Sequence, residues 1–140
     1  MSIGHLLSRK VVTAEPTDSL AKAARLMDEH NVGAVVVVEQ GRPVGIVTDR
    51  DLARSVCTLG TSPEAHLQNV MTCPVATIRQ DEGVYNATPQ MMRLAVRRLP
   101  VVDELGRLVG LVSLDDLLLL LGRELHHIAE GIQAEVAEVA

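Results

Sequence analysis

Apolar positions along the chain fall into stripes and runs that together spell out a small α/β unit. Leu20, Ala23, Ala24 and Met27 stand at helical spacing. Residues 34–39 are a nearly unbroken run of Val, suited to a strand buried on both faces. Gln40-Gly41-Arg42-Pro43 is turn chemistry, 44–48 a second strand tightly joined to the first, and 49–56 a closing helix. Ahead of the first helix, a short extended piece at 11–13 enters the turn Glu15-Pro16-Thr17-Asp18, where Thr17 or Asp18 is the expected N-cap. The predicted order is β-α-β-β-α. Strands joined through the helix should run parallel, and those joined by the tight turn antiparallel.

The same plan returns further along. At an offset of 64 residues Thr13 falls on Thr77, Ala23 on Ala87, Met27 on Met91, and Val37-Val38-Glu39 on Val101-Val102-Asp103. One extra residue in the second turn shifts the offset to 65, which aligns Gly41-Arg42 with Gly106-Arg107 and Asp51-Leu52 with Asp116-Leu117. The duplication spans about 8–57 and 72–121. Residues 58–70, with Gly60, Ser62 and Pro63, read as a linker. The chain is therefore divided into a first repeat (1–60), a linker (61–71), a second repeat (72–122) and a helical extension (123–140). A unit of about 50 residues is marginal alone. Two copies packed face to face about a pseudo-twofold axis solve this, and such an axis creates two equivalent clefts. The fold class expected is α/β (α+β).

Two details break the repetition. Pro89 falls opposite Arg25, either inside the second-repeat helix or, with Thr88 as cap, at a fresh helix start; Tyr85 beside it reads as half-buried packing. Beyond the repeat, 114–140 reads as one long helix in which Leu118, Leu121, Leu125, Ile128, Ile132 and Val136 form a stripe that wants a partner, best a second subunit.

Composition narrows the function. The chain has 140 residues, no Trp or Phe, one Tyr and a formal net charge of −5. The core must be aliphatic, and neither base stacking nor a phosphate backbone is a natural partner. The longest apolar run, 117–121, falls far short of the ~20 residues of a membrane span. Cys57 and Cys73 make no disulfide framework, and the chain is read as a soluble cytoplasmic protein with reduced thiols. His126 and Glu130 share a helix face but suggest a solvated surface rather than a metal site. Neither a nucleophile elbow nor a Walker or dinucleotide fingerprint occurs.

The duplicated polar motif carries the candidate chemistry. Gly45-Ile46-Val47-Thr48-Asp49-Arg50-Asp51 parallels Gly110-Leu111-Val112-Ser113-Leu114-Asp115-Asp116, each reading G-h-h-[S/T]-x-x-D across a strand-to-helix junction. Capping alone would explain one such motif: Thr48 and Ser113 are good N-caps, and the Asp completes a capping box. Two occurrences, each at a predicted cleft, favour a further role. A carboxylate can accept hydrogen bonds from both hydroxyls of a ribose diol. The hydroxyl and helix N-terminus suit phosphate, and Arg50 adds a cationic fork.

With these motifs, the Val-rich strand and Arg98-Leu99-Pro100-Val101-Val102-Asp103, residues 3–121 resemble a tandem pair of CBS domains, a Bateman module of the stand-alone type. The resemblance implies two repeats packed through their sheets. It also implies a non-catalytic sensor that binds an adenosine-containing ligand (AMP, ADP, ATP or S-adenosylmethionine) and a flat homodimer. It further implies crossed sites. Thr48, Arg50 and Asp51 would join Val75, Ala76, Val96 and Arg97; Ser113 and Asp116 would join Val11, Val12, Val32 and Gly33. The Asp residues would hold ribose, the hydroxyls ribose or phosphate, and the apolar residues adenine. Because Arg50 attracts phosphate and Asp115 repels it, and because the Arg97-Arg98 pair maps to the first cleft, the Thr48/Asp51 cleft is expected to bear phosphate. The other is expected to be weak, empty or suited to a less charged ligand. The alternative is a ligand-free dimerisation module or scaffold that recruits a partner protein; a metal-dependent hydrolase lacks a ligand cluster.

Overall fold

The structure is a computed structural model that describes residues 1–7 and 10–139. It contains two three-stranded sheets. In the first, β1 (Thr13–Ala14), β2 (Ala34–Glu39) and β3 (Arg42–Thr48) lie in that order, with α1 (Leu20–His30) between β1 and β2 and α2 (Asp49–Ala53) after β3. The second repeats the plan with β4 (Ile78–Arg79), α3 (Val84–Leu94), β5 (Arg98–Val102), β6 (Leu108–Ser113) and α4 (Leu114–Val139). The pairing is as the connections dictate: β1–β2 and β4–β5 are parallel across their helices, while β2–β3 and β5–β6 are antiparallel across their turns. Gln40 and Gly41 both take positive φ (52° and 77°), which gives the tight β2–β3 turn the twist its strands need.

Each repeat buries its own aliphatic core beneath its helices. Leu20, Ala23 and Met27 of α1 meet Val35, Val37 and Val47; Val84, Ala87 and Met91 of α3 meet Leu99, Val101 and Val112. The alternate strand positions Val36 and Pro100 are also buried, on the sheet face opposite the helices. That second buried face is why a lone repeat would not suffice. Pro100 has a local consequence. Val36 donates its N–H to Val12 O at 3.0 Å, a bond its counterpart Pro100 cannot make, and β4 begins one residue later than the offset predicts, with Ile78 opposite Val101.

The repeats exchange their leading arms. Residues 3–6 form a 3-10 turn whose Ile3 enters the second core, with Ile3 N–H on Glu82 O and Gly4 N–H on Gln80 O, both 2.9 Å. Sixty-four residues on, Leu67 enters the first core with the equivalent bonds, Leu67 N–H to Asp18 O (2.8 Å) and Gln68 N–H to Pro16 O (3.0 Å). Leu7 then lies over Gly110 and Met71 over Gly45, where a Cβ would collide with either side chain. Segment 61–71 is therefore packed chain: Leu67 is fully buried.

Several local expectations are corrected. Ser19, not Thr17 or Asp18, caps α1, accepting from Lys22 N–H at 3.0 Å. Asp18 instead holds the preceding turn. The helix expected over 49–56 is α-helical only to Ala53, then widens into a π-turn over Arg54–Thr58. Pro89 lies inside α3 with no break before it. Tyr85 is 87% exposed rather than half-buried, since it faces away from the core that Val84 and Ala87 enter. The long tail helix is present to Val139; Ala140, and Ser8 and Arg9 at the start of the first repeat, lie outside the described residues. Among the described residues no helix is long and apolar enough to cross a membrane.

Candidate ligand-binding site

Both G-h-h-[S/T]-x-x-D motifs sit where a strand ends and a helix begins, and both form reciprocal caps. Thr48 N–H donates to Asp51 Oδ2 at 2.9 Å while Asp51 N–H returns to Thr48 Oγ1 at 3.2 Å. In the second repeat Ser113 N–H and Ser113 Oγ both donate to Asp116 Oδ2 at 2.8 Å, and Asp116 N–H donates to Ser113 Oγ at 3.1 Å. In each carboxylate the cap uses Oδ2. Among the described residues Oδ1 of Asp51 and of Asp116 receives no hydrogen bond, so the cap leaves one oxygen for another donor.

The crossed arrangement is present as geometry on one side of the molecule. Val11, Val12, Val32, Gly33, Ser113 and Asp116, drawn from both repeats, line a single cavity of about 220 Å³. Val12 O accepts from Val36, Val32 N–H donates to Met27 O (3.0 Å), and Gly33 O accepts from Asp49 N–H (3.0 Å). Among the described residues the Val12 N–H and the Val32 carbonyl have no such partner. A donor and an acceptor are thus left on the wall facing the acidic side chain. Asn31, in the left-handed conformation (φ 51°), makes the bend that brings Val32 and Gly33 to this wall.

Three polar residues of this cavity were not anticipated: Lys10, Asn31 and Arg98. The first two adjoin Val11 and Val32 in sequence, so reading each mapped segment one residue further would have found them. No sequence signal marks Arg98, which starts β5 and reaches across the seam; its Nη2 comes within 3.3 Å of the point where a Cβ on Gly33 would stand, as does Asp49 Oδ2.

The other predicted cleft lies where α2 begins. Thr48 and Asp51 cap α2, Arg50 is exposed, and Val96 and Ala76 pack partly buried against the second core. The antiparallel bridge of Thr72 to Ile46 draws the segment leading to Val75 onto β3. Arg97 is turned to the opposite motif, where its Nη2 lies 3.3 Å from Asp115 Oδ1, both side chains 70% exposed. Arg98 lines the Ser113/Asp116 cavity. Arg98 thus lies at the cavity opposite to the one that the Arg97-Arg98 pair was expected to serve. The repulsion assigned to Asp115 is offset by Arg97, and two cations, Lys10 and Arg98, lie on the side expected to be the less basic.

Residues 3–57 and 67–123 each match the family model described as "CBS domain". The chain belongs to the CBS-domain family. This CBS pair is 39% identical over 120 residues to the uncharacterized protein MK0525 of Methanopyrus kandleri, covering 84% of the chain and 61% of that relative's length. Among solved structures it resembles the CBS domain pair of protein MJ0100 in complex with 5′-methylthioadenosine and S-adenosyl-L-methionine, with TM-score 0.80 and 29% identity over 89% of this chain and 98% of that one. It also resembles CBS domain protein PAE2072 from Pyrobaculum aerophilum complexed with AMP, with TM-score 0.78 and 26% identity over 83% and 89% of the two chains.

Elsewhere, His126 Nε2 lies 3.4 Å from Glu130 Oε1 within α4, and Cys57 and Cys73 are free and exposed. Among the described residues no group of three metal-ligating side chains comes together.

Proposed function

We propose that this CBS pair is a non-catalytic regulatory module, working in the cytoplasm, that takes an adenosine-containing ligand in the cavity between its repeats. The observation that carries the reading is the convergence of Ser113 and Asp116 from one repeat with Val11, Val12, Val32 and Gly33 from the other around one cavity. Asp116 Oδ1 would accept from the ribose hydroxyls. The Val12 N–H and Val32 carbonyl offer the donor and acceptor that an adenine edge requires, between aliphatic walls that need no aromatic platform. The volume lies below the ~300–1,000 Å³ of drug-sized pockets, which suits a nucleoside core with any phosphate at the rim near Lys10 and Arg98. Relatives of the same fold carry AMP, 5′-methylthioadenosine or S-adenosylmethionine, which supports the ligand class. AMP, ADP, ATP and S-adenosylmethionine are the candidates, and a homodimer is part of the reading. Binding would tie the repeats together across the seam and shift their relative angle by its differential affinity for the two arrangements.

The test is a thermal-shift panel with these four compounds. A ligand at 100 times its dissociation constant should stabilise the fold by ~2.7 kcal/mol. No shift with any adenosine compound would return the chain to the alternative, a scaffold whose polar motifs are caps only.

A further inference from the structure

The candidate ligands, and 5′-methylthioadenosine with them, share adenine and ribose and differ at the 5′ carbon of the sugar. AMP places a phosphate there, with a charge of about −1.5 to −2 at pH 7. 5′-Methylthioadenosine places a neutral thioether, and S-adenosylmethionine a sulfonium cation bearing a zwitterionic tail. Solved relatives of the fold carry ligands of each kind, so membership of the family does not decide between them. The charges around the cavity do. Lys10, Arg98 and Asp116 are its charged lining residues. Asp116 is committed to the Ser113 cap through Oδ2 and offers Oδ1 to ribose. Two cations then remain for whatever the 5′ carbon bears, Lys10 exposed and Arg98 half-buried.

Arg98 is placed by the second sheet. It stands directly opposite Ser113 in the β5–β6 register, so both side chains leave the sheet on one face. That face is the seam: Leu99 enters the second core, and Pro100, two residues after Arg98, is buried on the other side. Leu114 N–H donates to Arg97 O at 2.8 Å, which ties the entry of β5 to the start of α4. Arg98 Nη2 then reaches across the seam to within 3.3 Å of the point where a Cβ on Gly33 would stand. Asp49 Oδ2 lies as near to that point, yet Asp49 does not line the cavity, and its Oδ1 accepts the Arg50 N–H at 2.8 Å. Among the described residues Arg98 makes no ion pair within 4 Å, whereas Arg79, Arg97 and Arg107 are each spent on an aspartate.

We infer that Arg98 is the specificity-determining residue of this cavity, and that it selects a 5′-phosphorylated adenosine over 5′-methylthioadenosine and S-adenosylmethionine. Its planar fork matches two phosphate oxygens at once. The same charge repels a sulfonium at the same carbon, and a thioether leaves the guanidinium without an acceptor.

The assignment rests on the proposed adenosine site and names the ligand within it. Isothermal titration on the full chain would compare AMP, adenosine, 5′-methylthioadenosine and S-adenosylmethionine. AMP should bind about tenfold or more tighter than the other three, the size of one charge-assisted hydrogen bond. Arg98→Ala should bring AMP close to adenosine, and Arg98→Lys should keep part of the difference. Alanine suits the strand here, since Ala34 holds the corresponding place opposite Thr48 in the first repeat; circular dichroism checks the fold, and the panel on the parent chain decides the ligand class whatever the variants do. S-adenosylmethionine or 5′-methylthioadenosine bound as tightly as AMP would overturn the inference and leave the proposed function standing. So would a preference for AMP that survives Arg98→Ala, or a loss in that variant equal for AMP and adenosine. No binding by any of the four would sink the adenosine site and this selection together.

Discussion

Replacing Asp116 with Ala separates the two roles its carboxylate can play. As a cap, Asp116 Oδ2 accepts the Ser113 N–H and Oγ, both at 2.8 Å, at the start of α4. Losing a cap costs about 1 kcal/mol, or about 4 °C in Tm for a chain of this size. As a ligand residue, Asp116 would accept charge-assisted bonds from ribose through Oδ1. Losing these costs about 1.5–3 kcal/mol, a roughly 10- to 150-fold rise in Kd. The two effects are distinguishable because a domain with ~5–15 kcal/mol of stability stays folded after losing a cap. Asp51→Ala is the internal control. It removes an equivalent cap from α2, where Thr48 N–H lies 2.9 Å from Asp51 Oδ2. Isothermal titration with AMP should find Asp116→Ala weakened by at least tenfold and Asp51→Ala changed by much less, while both melt a few degrees early. Loss of affinity confined to Asp51→Ala would refute the assignment of the ligand to the Ser113/Asp116 cavity. Equal, parental affinity in both variants would refute the ribose role altogether.

Two further outcomes follow from local geometry. The Asp18 carboxyl is held below the usual carboxylate range chiefly by the Glu15 N–H it accepts at 2.8 Å; burial opposes this, and Lys22 at 3.0 Å adds a lesser lowering. A group with a depressed folded pKa stabilises above its unfolded value and loses that contribution as pH falls through the folded value. The urea midpoint should therefore fall below about pH 4, less steeply in Asp18→Asn, and an identical acid limb in that variant would contradict the assignment. In α3, Pro89 cannot donate to Tyr85 O and crowds the turn before it. Pro89→Ala, at an exposed position, should stabilise the chain by up to about 3 kcal/mol, and a lowered midpoint in urea would show that the proline is needed where it stands.

What the sequence determined was everything set by local periodicity and by its repetition. The Val run at 34–39 and the stripe Leu20, Ala23, Met27 can be buried only as a strand and a helix, and their return 64 residues later specifies two copies with a seam. The strand-end hydroxyl and the helix Asp were legible too, because a capping box is a contact across three residues. The tertiary structure decided matters that depend on distant segments. The arms bearing Ile3 and Leu67 cross to the opposite repeat because each completes the core of the repeat it enters, and hydrophobicity at one position does not say which core that will be. The charge of the clefts was decided the same way. Arg97 and Arg98 are neighbours in the chain, yet Arg97, in the bend before β5, pairs with Asp115 while Arg98, the first residue of β5, lines the Ser113/Asp116 cavity, a divergence set by how the strand is entered rather than by the residues themselves.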